Sequence, residues 1–375
     1  MRILLVHSYF HYLEDLDKPA GGIETHTAGL YRALTALGHD VTIAATRDSR
    51  LPLHIKFVPI DNICKDSTKG RYSQIAGYEY IYSKIQDGDF DLVINNNPSF
   101  TAFRNLDIIC EQENIPHFFF VHHIMDDIST KKNIQILNES SAKVICVSGY
   151  IADQIREKGF NKQRVVLNSN FAEPSVAYIG AERGEEVPDG QFIVSMACRI
   201  VKARDVLFAI ETILNETDFC IKIIGTGVNH PSELDYHNKV LDLAIRNPDR
   251  VWIKGRLDQE KTWREIAYSD VYLNLCTHEA YGLSVFEAQK IGIPVVYAYK
   301  GRHCGPANIV NVNTGTIDTG AAVDFAGLNQ KARAKALVEA IEYTRGLSKK
   351  AIWEQVNEFN SPRIFAERLQ EVLGL

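Results

Sequence analysis

The sequence predicts an α/β protein made of two successive parallel-sheet units, and three observations carry that reading. Short, continuously apolar runs alternate with amphipathic stretches along most of the chain; strands apolar throughout are buried on both faces, as in a parallel sheet covered by helices. The rhythm breaks at residues 171–190, "FAEPSVAYIGAERGEEVPDG", where Pro, Gly and a charged run have the composition of an interdomain linker. It then restarts, and 375 residues are more than one core comfortably serves.

The first unit, residues 1–170, opens on a buried strand, "RILLVH" (2–7). The helix "GIETHTAGLYRALTALG" then stacks Ile23, Thr27, Leu30, Leu34 and Leu37 on one face and stops at Gly38. Strands follow at "DVTIAAT", "IKFVP", "DLVINN", "HFFFVHH", "AKVICVS" and "RVVLNS", with amphipathic segments between most of them. In the second unit, 191–360, strands "QFIVSMA", "FCIKIIGTG", "RVWIKG", "DVYLNL" and "IPVVYA" alternate with helices "DVLFAIETIL", "SELDYHNKVLDLAIR", "QEKTWREIAYS" and "SVFEAQKIG". The final stretch, 361–375, has a Ser-Pro start and a helical stripe of Ile364, Phe365, Leu369 and Leu373. No short-period repeat is present, so the tandem units are a duplication of fold rather than a solenoid.

A net charge of −6 argues against a general polyanion-binding protein, which needs an excess of Lys and Arg on one face. The composition, 45% apolar and 23% charged, is that of a soluble globular chain. Seven cysteines (64, 110, 146, 198, 220, 276 and 304) form no CxxC pair, and Cys146 lies inside a strand-like run, so they read as reduced, buried thiols. The amino terminus begins as a strand without the apolar region of a signal peptide, and no apolar run reaches the ~20 residues of a membrane span. A cytoplasmic protein is expected, with peripheral membrane contact compatible with the sequence.

Open α/β sheets bind ligands beyond the carboxyl ends of their strands, and three features collect there. Gly21-Gly22 opens the first helix, where free backbone N–H groups suit an anion, although a glycine pair is also an ordinary turn. In "ACRIVKARDVL", Arg199, Lys202 and Arg204 follow the first strand of the second unit; guanidinium forks and an ammonium match a diphosphate, unless they form a solvated basic loop. In "HEAYGLSVFEAQKIGIPVV" (278–296), a loop hands over to a helix whose first N–H groups, from Gly282, Leu283 and Ser284, can face a phosphate. Glu279 and Glu287 flank that turn and can accept hydrogen bonds from sugar hydroxyls. A competing reading makes Ser284 and Glu287 a capping box, with Ser284 as N-cap.

Those segments, in their order along the chain with "GGIETHTAGLYRALTALGHDVTI", "IIGTG" and "WIKGR", resemble the retaining glycosyltransferases of family 4 over nearly the whole sequence. The most specific element is Glu279 to Glu287 with Gly282 and the following Gly292-x-Pro294. The resemblance implies a GT-B fold: two Rossmann-like domains facing each other across a cleft, the C-terminal helix crossing back to the N-domain, acceptor side first and donor side second. It implies that Glu287 binds the ribose of a nucleotide-sugar, Glu279 the transferred sugar, and Gly282 with Leu283 the diphosphate, which Arg199 also holds. His122 of "FFFVHH" matches a family histidine near the reacting centre, and Gly255 of "WIKGR" would line the base through its backbone. No metal or other cofactor is implied, since cations and helix ends can serve the leaving group; Asp126-Asp127 reads as a helix cap.

Departures from the family pattern stand beside these matches. Its Lys-Gly pair is replaced by Arg204-Asp205, so the second diphosphate cation is Arg204 in register or Lys202 out of register. Its interdomain Asn-Gly is Asn168-Ser169, and its Gly-Gly-x-x-Glu becomes "KGRHCGPANIV", with Asn308 near the acid's place. The expected activity is a retaining transfer from a nucleoside diphosphate sugar, UDP-sugar favoured, to a hydroxyl of a sugar-containing or small acceptor. Two alternatives remain: a non-hydrolysing nucleotide-sugar epimerase, or a nucleotide-sugar-binding module without turnover. A dinucleotide oxidoreductase is disfavoured by the lack of G-x-G-x-x-G after the first strand. Tyr9, Phe10, His11 and Tyr12, with nearby acids, suit a hydroxyl-rich acceptor. Lys65, Lys69 and Arg71 beside Tyr72 keep a lipid-linked glycan, or more distantly a modified nucleic acid, in view.

Overall fold

A computed structural model describes residues 1–7, 22–47, 49–60, 76–96, 100–123, 130–161, 165–166, 172–178, 190–227, 231–310 and 318–375. The chain divides into two compact units, one of residues 1–171 with 362–375 and the other of 172–361.

In the first unit the described strands are β1 (Arg2–Val6), β2 (Asp40–Thr46), β3 (Lys56–Ile60), β4 (Leu92–Asn95), β5 (His117–Val121), β6 (Lys143–Cys146) and the short β7 (Val165–Val166). They form a parallel sheet in the order β3-β2-β1-β4-β5-β6-β7. Between them run α1 (Gly22–Ala36), α2 (Ala76–Gln86), α3 (Phe100–Gln112), α4 (Lys131–Glu139) and α5 (Gly149–Glu157). Leu4, Val6, Ala44, Val93 and Leu106 sit in the core that the continuous apolar runs required. The C-terminal α12 (Pro362–Leu373) belongs to this unit, packs on α1, and buries Phe365, Leu369 and Leu373 of its stripe.

The second unit has β8 (Ile193–Ala197), α6 (Val206–Glu216), β9 (Cys220–Ile224), α7 (Pro231–Arg246), β10 (Val251–Gly255), α8 (Gln259–Ala267), β11 (Val271–Asn274), α9 (Leu283–Ile291) and β12 (Val295–Tyr299). β13 (Gly320–Asp324), α10 (Gln330–Thr344) and α11 (Lys349–Phe359) follow; none was read from the sequence, although Asn329 and Ser348 cap the two helices with their side chains. Its parallel sheet runs β10-β9-β8-β11-β12-β13. Of the expected linker, Tyr178 belongs to this unit and donates its N–H to Ile291 O at 2.9 Å, while 179–189 lie outside the described residues.

Both sheets start at an inner strand, grow to one side, and resume on the other. The strand order reverses between β1 and β4 in one and between β8 and β11 in the other. At such a switch point the flanking loops diverge and leave a crevice beyond the strand ends. His7 and Asn96 follow β1 and β4; Arg199 and Glu279 follow β8 and β11.

The exit from β8 depends on a close backbone approach. Cys198 N–H reaches Ile224 O at 3.0 Å and Gly225 N–H reaches Gly255 O at 2.8 Å. A Cβ on Gly225, whose φ is +145°, would lie 2.0 Å from Cys198 O. Gly225→Ala is therefore expected to cost about 2 kcal/mol or more in chemical denaturation, through both strain and displacement of the 198–199 backbone. A denaturation midpoint equal to wild type would contradict this packing.

Candidate active site

The turn into α9 is built by one glycine. Gly282 takes φ +92° and ψ +58° at the N-cap position, where its Cβ would meet Pro306 at 3.0 Å. The first intrahelical bond of α9 is Phe286 N–H to Gly282 O at 3.0 Å, so the amides of Leu283, Ser284 and Val285 precede any intrahelical acceptor. That end of the helix carries positive potential. The capping-box reading is overturned: Gly282, not Ser284, occupies the N-cap, and no side chain caps it. The Ser284 hydroxyl interacts instead with Tyr272, a buried residue whose own hydroxyl donates to Ala197 O at 3.2 Å and so ties the end of β8 to the start of α9.

Glu279 lies just before this turn and is ion-paired with Arg204; Asn274 Nδ2 also approaches it at 3.4 Å. Burial works against the charge of Arg204, but Glu279 together with the neighbouring Cys276 and Cys198 outweighs it and raises the guanidinium's pKa. Arg199 is exposed and has no partner among the described residues. The charges of Arg204 and Arg199 both act on the Cys276 thiol, whose pKa burial nevertheless raises, so both cations stand beside the 276–282 loop. Lys202 is exposed, and its backbone N–H, not its side chain, is engaged, donating to Glu233 Oε2 at 3.0 Å. Gly255 ends β10 with its carbonyl committed to Gly225. The 300–310 segment braces the loop: Gly305 N–H donates to Glu279 O at 2.7 Å, in a 3-10 turn, Gly305–Asn308, that contains Asn308.

Glu287 is buried within α9 and accepts from Gln259 Nε2 of α8 at 3.2 Å. Burial pushes its carboxyl up to about 7 from an ordinary 4.5, partly opposed by Trp263 and Gln259. The Trp263 indole N–H lies close to Glu287 without meeting the geometry of a hydrogen bond to any described residue.

At the other switch point, a chain of hydrogen bonds fixes three imidazoles. Thr27 Oγ1 donates to Ile23 O at 2.9 Å, so it accepts from Asn96 Nδ2 at 2.8 Å and from His7 Nδ1 at 2.7 Å. Asn96 Oδ1, thereby oriented, can only accept, and it meets His26 Nδ1 at 2.9 Å and His122 Nε2 at 2.7 Å. His122 consequently carries its proton on Nε2 and leaves a lone pair on Nδ1, which has no hydrogen-bond partner among the described residues. Burial and the neighbouring histidines push His122 well below its usual range, and burial holds His26 down to about 4. The His26 and His122 rings meet edge to face at 4.8 Å. Thr27 was read from the sequence only as part of the helix's packing face, and His7, His26 and Asn96 were not singled out; the visible signal was the polar run "NNN" closing the apolar strand "DLVI".

Of the remaining sequence-derived site residues, Gly22 is exposed at the start of α1. Gly21, Tyr9, Phe10, His11 and Tyr12 lie outside the described residues, as do Lys65, Lys69, Arg71, Tyr72, Asp126, Asp127, Asn168 and Ser169. Among the described residues no cluster of three or more His, Cys, Asp or Glu is arranged to hold a metal ion, and no helix is long and apolar enough to cross a membrane.

Residues 20–175 match the sequence model of Glycosyltransferase Family 4, and residues 182–352 that of Glycosyl transferases group 1. No curated protein matches. Among solved structures, HepE of Anabaena in complex with UDP and glucose is similar at 17% identity and a TM-score of 0.72, over 100% of this chain and 99% of that one. The sucrose-phosphate synthase of Thermosynechococcus elongatus is similar at 14% identity and a TM-score of 0.74, over 99% and 98%. A glycosyltransferase of Rickettsia africae is similar at 17% identity and a TM-score of 0.70, over 99% and 97%. At such identities the likeness is one of fold.

Two outcomes follow from the site as built. Because the folded pKa of Glu287 is raised to about 7, the folded state holds that proton more tightly than the unfolded chain. The stability this confers is full below about pH 4.5 and is lost as pH rises through 7. Glu287→Gln should therefore match wild type near pH 4 and exceed it at pH 8, by up to about 3 kcal/mol; equal pH dependence in thermal unfolding would refute the buried-acid assignment. Asn96→Asp places a carboxylate against two imidazoles and is expected to bring at least one of them into titration between pH 5 and 8 by NMR, where the wild-type pair stays neutral.

Proposed function

Because the chain belongs to the glycosyltransferases, its N-terminal part to family 4 and its C-terminal part to the group 1 transferases, we propose that it moves a sugar from a nucleoside diphosphate sugar, UDP-sugar favoured, to a hydroxyl of a sugar-containing or small acceptor with retained anomeric configuration. The observation that carries this reading is the Gly282 turn: unpaired amides at a helix start, two cations beside them, and an acid on either flank. Similar folds with UDP, with UDP and glucose, and with UDP-glucose bound, all HepE of Anabaena, favour uridine as the base.

In this proposal the diphosphate rests on the amides of Leu283 and Ser284 and on Arg199 and Arg204, with Arg204 rather than Lys202 as the second cation. Glu287 takes ribose hydroxyls and Glu279 those of the transferred sugar. When the sugar's C1–O bond breaks, its electron pair passes to the diphosphate, where guanidinium groups and a helix end stabilise the growing charge. The acceptor oxygen bonds to C1 on the same face and gives its proton to a leaving phosphate oxygen. His122, neutral with a free Nδ1 lone pair, accepts a hydrogen bond from a substrate hydroxyl and repels an anionic group in its place. The second unit is the donor side and the first, with Tyr9, Phe10, His11 and Tyr12, the acceptor side.

The direct test offers a panel of nucleotide-sugars and acceptors and reads the product's anomeric configuration by NMR. Transfer with retention is expected; a changed sugar configuration without acceptor would mark an epimerase, and binding without turnover across the panel a non-catalytic module. Arg199→Ala is expected to slow transfer by about 10² to 10³-fold at unchanged thermal stability. An equally fast variant would contradict its assignment.

A further inference from the structure

We propose that Arg333, on α10, is a positioning residue for the diphosphate site: by holding the Asp205 carboxylate, it sets the left-handed turn that presents Arg204. This rests on the donor-site reading above.

Asp205 joins the 3-10 turn Lys202–Arg204 to α6 with φ +53° and ψ +30°. Among the described non-glycine residues, only Asn114 shares a positive φ. That conformation is unfavourable for most L side chains; aspartate tolerates it better than most but less freely than glycine, so contacts that hold its side chain help to fix the turn. An aspartate at a helix start ordinarily caps its own helix, but Asp205 makes no such bond. The Leu207 amide is taken instead by the Tyr236 hydroxyl at 2.9 Å, and the Asp205 carboxylate is ion-paired with Arg333.

Arg333 is itself immobilised. Its guanidinium carbon lies 4.3 Å from the centroids of both the Phe208 and Phe325 rings, which are buried. Its Nε is buried without a hydrogen-bond partner, so the Asp205 carboxylate is its polar anchor among the described residues. At the other end of the turn, Lys202 N–H is held by Glu233 of α7. Residues 202–205 are thus clamped from two helices, and Arg204, between the clamps, reaches Glu279. A guanidinium at the end of a long side chain magnifies any rotation of the backbone that carries it, and misplacement of a charge-stabilising group by ~1 Å costs up to about 10²-fold in rate.

The test measures dissociation constants for UDP, GDP and ADP by calorimetry, with thermal unfolding in parallel, for wild type, Arg204→Ala, Arg333→Met, Asp205→Gly and the double variant Arg333→Met/Asp205→Gly. Methionine fills the slot between the phenylalanines without the charge, and glycine takes the left-handed turn freely. Arg333→Met is expected to weaken the preferred nucleotide about 5- to 10-fold, while the double variant should bind within about twofold of Asp205→Gly alone, because the clamp is no longer needed. Unchanged binding in Arg333→Met, or a double variant as weak as Arg333→Met, would overturn the inference and leave Arg333 a packing residue. Should Arg333→Met fail to fold, Arg333→Gln removes the ion pair while keeping a polar side chain between the phenylalanines and Asp205 in the turn; weaker binding supports the proposal and unchanged binding overturns it. If folded wild type binds none of the three nucleotides, the donor-site reading falls and takes this inference with it. If wild type binds and only Arg204→Ala weakens binding, the inference alone fails.

Discussion

The turn into α9 depends on one backbone constraint, the left-handed conformation of Gly282, where a Cβ would press on Pro306 at 3.0 Å. That turn leaves the first amides of α9 without intrahelical acceptors and sets Glu279 on its near side, within reach of Arg204. Its supports converge from separate elements: Tyr272 from β11 links the β8 exit to Ser284, and Gly305 and Pro306 close against the loop from the far side. α9 in turn is buried along nearly its whole length, with Gln289 bonded to Thr319 and Lys290 to the Asn360 carbonyl, so the helix start has little freedom to drift.

Charge is arranged differently at the two switch points. Beyond β8 and β11 it is concentrated and, apart from Arg199, largely paired: Arg204 with Glu279, Asp205 with Arg333. A diphosphate entering there would exchange partners with charges that are in place, so little reorganisation is needed during bond breaking. Beyond β1 and β4 burial holds the His26 and His122 imidazoles neutral, and hydrogen bonds through Thr27 and Asn96 orient both rings, with the Nδ1 lone pair of His122 left without a partner among the described residues. Burial in α9 pushes the Glu287 carboxyl up to about 7, at a cost in stability as pH rises through that value.

Much of the fold was legible because parallel sheets write themselves as continuous apolar runs, as in "RILLV" and "VVYAY", and the two units repeat one strand order. The hand-over from loop to helix between Glu279 and Glu287 was legible as well, and α9 begins at Leu283 with Gly282 before it. The capping box failed because Ser-x-x-Glu has the same letters two positions beyond the N-cap as at it, and the N-cap is Gly282. The Arg204-Asp205 departure was visible, but its compensation was not, since Arg333 lies 128 residues further on and meets Asp205 only through packing on two phenylalanines. Asn96 was hidden for a related reason: an asparagine at a strand end is an ordinary stop signal until three side chains are seen to share it.

The central claim is that the Gly282 turn and its cations hold a pyrophosphate. A crystal structure with a bound nucleoside diphosphate sugar tests it most directly. The account predicts phosphate oxygens within hydrogen-bond distance of the Leu283 and Ser284 amides and of Arg204, with the Glu279–Arg204 pair opened to admit them. A diphosphate lodged elsewhere, with that pair intact, would contradict it.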